Sequence, residues 1–279
     1  MSKLPKINSN LTKSEAMAVR PFQALEQHGL ACGYERSFKL TSGGVAANRY
    51  LLGVALNLIS DKTLTEICQH LSMPRELFEG LLANKSSANL LLLGFDLNND
   101  KPIYKVYLEF WDQILEQLSK GLSNDQAQLM HQGFKWECFE PTKTNITEYH
   151  YLPLHSQLEV NRQVSQSFDQ ITSECHQAAQ SIIGKAYRSL ASNQAESKFI
   201  FLQVSEAGNN RNSFDINLYP ANLTVGDIEH HISELAKHLQ INDESMSRLM
   251  NLTRNKTLGH ISAGQGRDGH EYFCVYYEQ

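Results

Sequence analysis

Nothing in this chain is spaced to staple it or to grip a metal. Its five cysteines, Cys32, Cys68, Cys138, Cys175 and Cys274, are odd in number, far apart and without a CxxC, which argues against a disulfide framework and against a structural zinc site. A reducing cytosol fits that usage. Long apolar runs are missing as well: nowhere do about eighteen apolar residues follow one another, and the opening MSKLPKINSNLTKSE has no apolar centre. Neither a membrane span nor a signal peptide is expected. Positive charge is not in excess either. The formal net charge is −5 with both signs interspersed, so there is no basic field for nucleic acid and no polybasic patch for a membrane surface. Any anion site has to be local. Histidine is plentiful, but no HExxH occurs, and the neighbours His230 and His231 point in different directions on a helix, which places them at the surface.

What the chain does have is a repeated unit. Asn89 to Glu109, NLLLLGFDLNNDKPIYKVYLE, is two apolar runs joined by a polar turn and reads as a β-hairpin. Phe134 to Pro153, Lys198 to Pro220 and Thr257 to Glu278 have the same strand, turn, strand layout, and Gly33 to Asn57 is a less regular version whose turn is Thr41-Ser42-Gly43-Gly44 with a return strand from about Asn48. Between the hairpins lie stretches of helical period: Ser14 to Gly29, Asp61 to Leu71, Pro74 to Leu82, Trp111 to Leu118, Asn124 to His131, a long one over Gln157 to Ser192, Val225 to Leu239 and Asp243 to Thr253. Each has one apolar stripe, so each packs from one side only. Ten antiparallel strands with every helix outside close most naturally as a barrel, which also removes exposed edges. The expected fold is therefore α+β, an antiparallel ten-stranded β-barrel surrounded by α-helices. Residues 1–12 read as a flexible tail and 13–279 as a single barrel domain.

Alternation along a strand assigns the two faces. Tyr104, Val106, Leu108, Ile216, Leu218, Phe273, Val275 and Tyr277 would meet the helices. The other register faces inward: Lys105 and Tyr107, Tyr149 and Tyr151, Asn217 and Tyr219, Cys274 and Tyr276, joined by Glu35 and Arg49 from the first hairpin. Arginine, lysine and tyrosine hydroxyls suit a diphosphate, aromatic rings can face a carbocation and keep water from it, and a carboxylate opposite can take a proton. A lone tyrosine on a strand is more often cross-strand packing than function. Four in one register alter that balance, since filling a barrel needs bulk and not polarity. Lys105, set in an apolar strand, requires a partner unless it lies at the rim. His260 and Lys135 each have two equal readings, lumen or packing for the first and lumen or rim for the second. Gly264-Gln265-Gly266-Arg267-Asp268-Gly269 matches GxGxxG, yet an alternating strand follows it where a dinucleotide site needs a helix, so it reads as a hairpin turn.

With these residues in view, the chain resembles the ABBA-type prenyltransferases, whose α-β-β-α units close a ten-stranded barrel, and most of all their cyanobactin branch. Three places carry the resemblance: Tyr34-Glu35-Arg36-Ser37 with Asn48-Arg49-Tyr50; Lys105-Val106-Tyr107, similar to the Lys-x-Tyr diphosphate pair of the indole enzymes; and the aromatic closing strand Tyr272 to Gln279. The resemblance implies a cytosolic enzyme that transfers an allylic isoprenoid, dimethylallyl or similar, from its diphosphate to an electron-rich side chain of a peptide. It implies Glu35 as the general base and Arg49, Lys105, Tyr107, Tyr151, Asn217, Tyr219 and Tyr276 around the diphosphate and the cation. Tyr149 and Asn217 stand where indole enzymes often carry cations, and the cyanobactin likeness implies Mg2+, bound chiefly through the diphosphate, to supply the missing charge. Two alternatives stay open, an aromatic small-molecule acceptor on the same fold and a non-catalytic ligand-binding barrel. Acceptor atom, donor length and oligomeric state are not legible.

Overall fold

A computed structural model describes residues 12–98, 101–120, 126–192 and 199–278. Five antiparallel hairpins supply the sheet: β1 (Gly33–Thr41) with β2 (Gly44–Ala55), β3 (Leu90–Asn98) with β4 (Lys101–Glu109), β5 (Gln128–Glu137) with β6 (Thr144–Leu152), β7 (Phe201–Glu206) with β8 (Asn212–Asn217), and β9 (Leu258–Gln265) with β10 (Glu271–Glu278). Every strand neighbours the next in sequence and β1 closes on β10, giving a closed barrel. The helices are α1 (Lys13–Met17), α2 (Arg20–Glu26), α3 (Asp61–His70), α4 (Arg75–Asn84), α5 (Trp111–Ser119), α6 (Gln157–Gln166), α7 (Glu174–Ser192), α8 (Glu229–His238) and α9 (Asp243–Thr253). Local chemistry sets several starts: Ser60 caps α3, Ser156 and Glu159 form a capping box on α6, and Asn242 accepts from the backbone at the head of α9.

By internal contacts the chain divides into two compact units, residues 1–35, 48–123 and 129–148 in the first, and 36–47, 124–128 and 149–279 in the second. In the first, Leu25, Leu64, Ile67, Leu77 and Leu81 from α2, α3 and α4 share a core with Tyr50, Leu52, Leu91, Leu93, Phe95, Tyr104, Val106, Phe134 and Trp136 from β2 to β5. Tyr50 and Tyr104 donate from their hydroxyls to the backbone oxygens of Ala18 and Met17, at 2.6 and 2.9 Å, which satisfies two buried phenols and ties down the α1–α2 joint. Burial pushes the Tyr50 phenol well above its usual range. In the second unit, α6 to α9 pack Val164, Ile182, Ile183, Ile232, Leu235 and Met250 on Phe201, Phe214, Ile216, Ile261, Phe273, Val275 and Tyr277. Burying one such aliphatic or aromatic side chain is worth about 1.5–3 kcal/mol, and it commits one register of each strand to the helices.

Several expectations change. The segment 14–29 is two helices, because Pro21 has no amide hydrogen to give and is accommodated only in the first turn of α2. Gln128 to His131, expected as helix, lie in β5, where His131 pairs with Glu109 and the ladder runs on to Glu137 opposite Ile103; sheet pairing outweighs local helical period. The long helix is interrupted after Gln166: Asp169 and Gln170 have φ of 51° and 61°, a left-handed pair that no helix continues through, while Phe168 is fully buried at the break. The return strand of the first hairpin starts at Gly44, whose φ of 113° makes the turn. Tyr219 is not on a strand; β8 stops at Asn217 and Tyr219 opens a short 3-10 turn through Ala221. Of the expected tail, residues 1–11 lie outside the described residues, and Thr12 is the cap of α1. The GxGxxG stretch is the β9–β10 turn, closed by a hydrogen bond from the Gly266 amide to the His270 carbonyl of 2.9 Å. Among the described residues no helix is long and apolar enough to cross a membrane.

Candidate functional site

In the first unit the strand face turned away from the helices carries the polar register. Ladder pairing places Arg49 opposite Asp96, Gly94 opposite Lys105, Lys105 opposite Lys135, and Tyr107 opposite Gly133. Asp96 is the centre of this group. Arg49 Nη1 lies 2.5 Å from its Oδ1 and Lys105 Nζ 2.5 Å from its Oδ2. The three side chains are 8, 10 and 13% exposed for Arg49, Asp96 and Lys105, so their attraction acts where water screens it little. Lys135 is buried as well, with its ammonium 5.9 Å from the Tyr107 ring. Lys105 and Lys135 are therefore both sheltered from water on this strand face.

Two glycines make this packing possible. A Cβ on Gly94 would stand 2.9 Å from Leu51 Cδ2 and 3.1 Å from Lys105 Cβ, and one on Gly133 would stand 2.5 Å from Tyr107 Cε1. The phenol thus lies flat on bare backbone. Gly133→Ala is expected to push Tyr107 off its seat and to destabilise the protein by about 1–3 kcal/mol, read by urea denaturation; an unchanged midpoint would mean that the ring has room to move aside.

In the second unit the same face holds two groups. The first is centred on His260 of β9, which lies opposite Asn217 of β8 and Tyr276 of β10 in the ladders. Its Nδ1 is 2.8 Å from Asp215 Oδ1. Tyr219 and Tyr276 meet the imidazole edge-on, with ring centroids at 5.7 and 5.9 Å. Although it has left the strand, Tyr219 therefore remains beside Tyr276 through this histidine. Asn217 uses its side-chain oxygen to accept from the Tyr219 amide at 3.1 Å and so builds that turn. The second group lies nearer the hairpin turns. Glu206, with a side chain only 1% exposed, accepts from Arg211 and Arg267 at 2.8 and 3.0 Å. Arg211 also donates to the Tyr272 hydroxyl at 3.1 Å, and Lys39 sits 4.5 Å over the Tyr272 ring. Burial works against the Arg211 charge, but Tyr272, Tyr149 and Glu206 around it more than offset that and hold the guanidinium well above its ordinary range.

Of the residues singled out from sequence, Arg49 and Lys105 meet through Asp96, and Tyr219 and Tyr276 meet at His260. Tyr151 is half-buried on the register opposite Leu152, which packs on the helix side, and burial raises its phenol. Glu35 is half-buried on β1 between Tyr34, which stacks edge-on against Phe22 at 5.5 Å on the helix side, and Arg36. The sequence reading missed Asp96, Asp215, Glu206 and Arg211. Magnesium, which the resemblance implied as bound chiefly through the diphosphate, would call for no protein ligand set; both Asp96 oxygens face cations, and among the described residues no three His, Cys, Asp or Glu side chains group to hold an ion. Arginine and lysine offer hydrogens to an anion and no lone pair to a hard cation, while a tyrosine hydroxyl can donate or accept.

No protein-family model matches the chain, and no curated protein matches it by sequence. Solved structures do match in fold. The 6-dimethylallyltryptophan synthase from Micromonospora olivasterospora, solved in complex with DMASPP and Trp, aligns with a TM-score of 0.55 at 11% identity, over 96% of this chain and 98% of that one. The 5-dimethylallyltryptophan synthase from Streptomyces coelicolor gives 0.55 at 11% identity over 88% and 81%. NotF prenyltransferase gives 0.54 at 14% identity over 88% and 80%. At such identities the likeness is one of architecture, and it is complete enough to say that this chain has the closed, helix-wrapped, ten-stranded barrel on which those prenyltransferases are built.

Proposed function

We propose that the chain is a cytosolic prenyltransferase that carries an allylic group, dimethylallyl in the first instance, from its diphosphate to an electron-rich aromatic ring. The observation that carries this reading is the buried group of Arg49, Lys105 and Lys135 with Asp96 and Tyr107 on one strand face. Charges of that kind are costly to bury for structure alone, whereas gathered and preorganised they suit a departing diphosphate. The resemblance in sequence pointed to a peptide acceptor. The fold neighbours named for tryptophan, one of them bound to it, favour an aromatic ring instead, and an indole carried by a free or a peptide-borne tryptophan meets both descriptions.

In this mechanism the allylic C1–O bond breaks with its electron pair leaving on the diphosphate, which Arg49 and Lys105 hold. Tyr107, Tyr151, Tyr219 and Tyr276 shield the cation from water and lend hydroxyls to phosphate oxygens, with Asn217 a lesser contributor. The acceptor ring bonds to the cation and its proton passes to Glu35. No step is assigned to magnesium.

Calorimetric titration with dimethylallyl thiolodiphosphate, with and without magnesium, tests the donor half. A charge-assisted hydrogen bond is worth about 1.5–3 kcal/mol, so Lys105→Ala is expected to weaken binding about ten- to a hundredfold. Equal affinity in the variant would remove Lys105 from the site. No binding to the wild type would leave a barrel for some other ligand.

A further inference from the structure

Toward the hairpin turns of the second unit lies a cluster of charges that the proposed reaction leaves unused. Glu206, the last residue of β7, has both oxygens engaged: Oε1 accepts from Arg211 and Arg267 at 2.8 and 3.0 Å, and Oε2 from the Asn209 side-chain amide at 3.1 Å. Arg211 is committed through all three of its side-chain nitrogens, since Nε also donates to the Ser213 hydroxyl at 3.2 Å and Nη2 to the Tyr272 hydroxyl at 3.1 Å. Arg267 and Lys39 are not committed in this way. Arg267 is 41% exposed and reaches Glu206 through Nη2 alone, which leaves most of its five N–H donors unspent. Lys39 lies on β1 between Phe38 and Leu40, both in the helix-side core, so alternation turns it to the other face. There its ammonium rests 4.5 Å over the Tyr272 ring, and among the described residues it meets no carboxylate.

We propose that Arg267 and Lys39 form an oxyanion site of their own, on a floor made by Glu206, Arg211 and Tyr272, for a phosphate group, free or esterified. The site lies wholly within the second unit, and it stands whether or not the prenyl-diphosphate reading holds. Its floor is fixed before any ligand arrives. Tyr272 bonds to Arg211 and carries Lys39 on its ring, and Arg211 shares one Glu206 oxygen with Arg267. Each member thereby holds the next, which lowers the ordering cost of binding.

The balance of charge selects the class of ligand. Three cations, Arg211, Arg267 and Lys39, gather on one carboxylate. Asp268, the other acid of the β9–β10 turn, is exposed and accepts from the His270 amide at 3.1 Å within that turn. Like charges gathered in a half-buried place repel, and an anion joining them removes that cost. The surplus of two positive charges is answered by a phosphate dianion, whereas a carboxylate answers only one. A guanidinium fork beside an ammonium is also the donor set that phosphate oxygens take best.

The experiment is calorimetric titration of inorganic phosphate, methyl phosphate and acetate at about pH 8, where a phosphate ester carries close to two charges. The proteins are the wild type, Lys39→Gln, Arg267→Gln and Lys105→Ala. Phosphate is expected to bind the wild type about tenfold more tightly than acetate does, and to lose about tenfold in Lys39→Gln and again in Arg267→Gln. Lys105→Ala should keep this binding event. Methyl phosphate binding as tightly as inorganic phosphate marks the ligand as an ester, and its rejection marks the free ion. Phosphate affinity unchanged in Lys39→Gln and Arg267→Gln overturns the proposal, as does acetate binding equal to phosphate or no phosphate binding to the wild type. Failure of dimethylallyl thiolodiphosphate to bind, by contrast, overturns the donor reading alone. Because Lys39→Gln breaks no hydrogen bond of the floor, it keeps the test readable even if Arg267→Gln proves poorly folded.

Discussion

Replacing Asp96 with alanine is expected to cost about 3–5 kcal/mol of folding stability, because removing one partner of a buried ion pair leaves the others as uncompensated charge. Here the loss is doubled in kind. Arg49 and Lys105 both approach this carboxylate at 2.5 Å with little exposure, and without it two like charges are left on the strands that flank β3. Asp96→Asn keeps the shape and a hydrogen-bond acceptor but not the charge, and should fall between the two. Equilibrium denaturation in urea measures all three. The same variants probe function. An anion that binds the folded state stabilises it by RT ln(1 + [L]/Kd), about 2.7 kcal/mol at a hundredfold excess over Kd. Inorganic pyrophosphate should therefore restore more stability to Asp96→Ala than it adds to the wild type, since in the variant it meets two cations with no resident carboxylate. A variant within about 0.5 kcal/mol of the wild type would mean that the two cations are held by other means. A variant that is unstable but indifferent to pyrophosphate would make the cluster structural.

The sequence carried the hairpin repeat and the two faces of each strand because both are local: a period of two within eight residues and a turn between. Lys105 stood out for the same reason, as a charge in the run Ile103 to Leu108. Asp96 did not. It sits two residues before the end of β3, where a carboxylate reads as turn chemistry, and only register across two ladders brings it against Arg49, 47 positions earlier, and Lys105. Asp215 and His260 are joined in the same non-local way, across β8 and β9. The glycines did carry a usable signal. Gly94 and Gly133 each interrupt a strand, and glycine there marks close approach by another group, which proves to be the Lys105 stem and the Tyr107 ring. The helix errors have the opposite origin. Local period extended α6 into α7 and made helix of Gln128 to His131, where a left-handed pair at Asp169 and Gln170 and strand pairing with Glu109 decide the outcome.

Glu35→Gln is expected to lower prenylation by about 10²–10⁴-fold, the usual contribution of a positioned general base, while dimethylallyl thiolodiphosphate binds as before. The argument for leaving the scaffold intact is geometric. Tyr34 fixes this part of β1 on the helix side, with Phe22 at 5.5 Å and Tyr50 at 6.0 Å, and Glu35 points to the other register, where glutamine is nearly isosteric. A glutamine still accepts a hydrogen bond from an indole N–H, so acceptor affinity should change little; what it cannot do is take the proton. The two halves of the measurement separate the hypotheses. Turnover of a tryptophan acceptor, followed by product formation, should collapse in Glu35→Gln and recover in part in Glu35→Asp, which keeps a carboxylate one methylene short. Full turnover in Glu35→Gln would move the base elsewhere, with the Asp215–His260 pair the next residues to substitute. Donor binding lost along with turnover would instead make Glu35 part of the strand's support, and a wild type that binds the donor yet prenylates no aromatic acceptor would return the question to which ring, or which peptide, this barrel takes in.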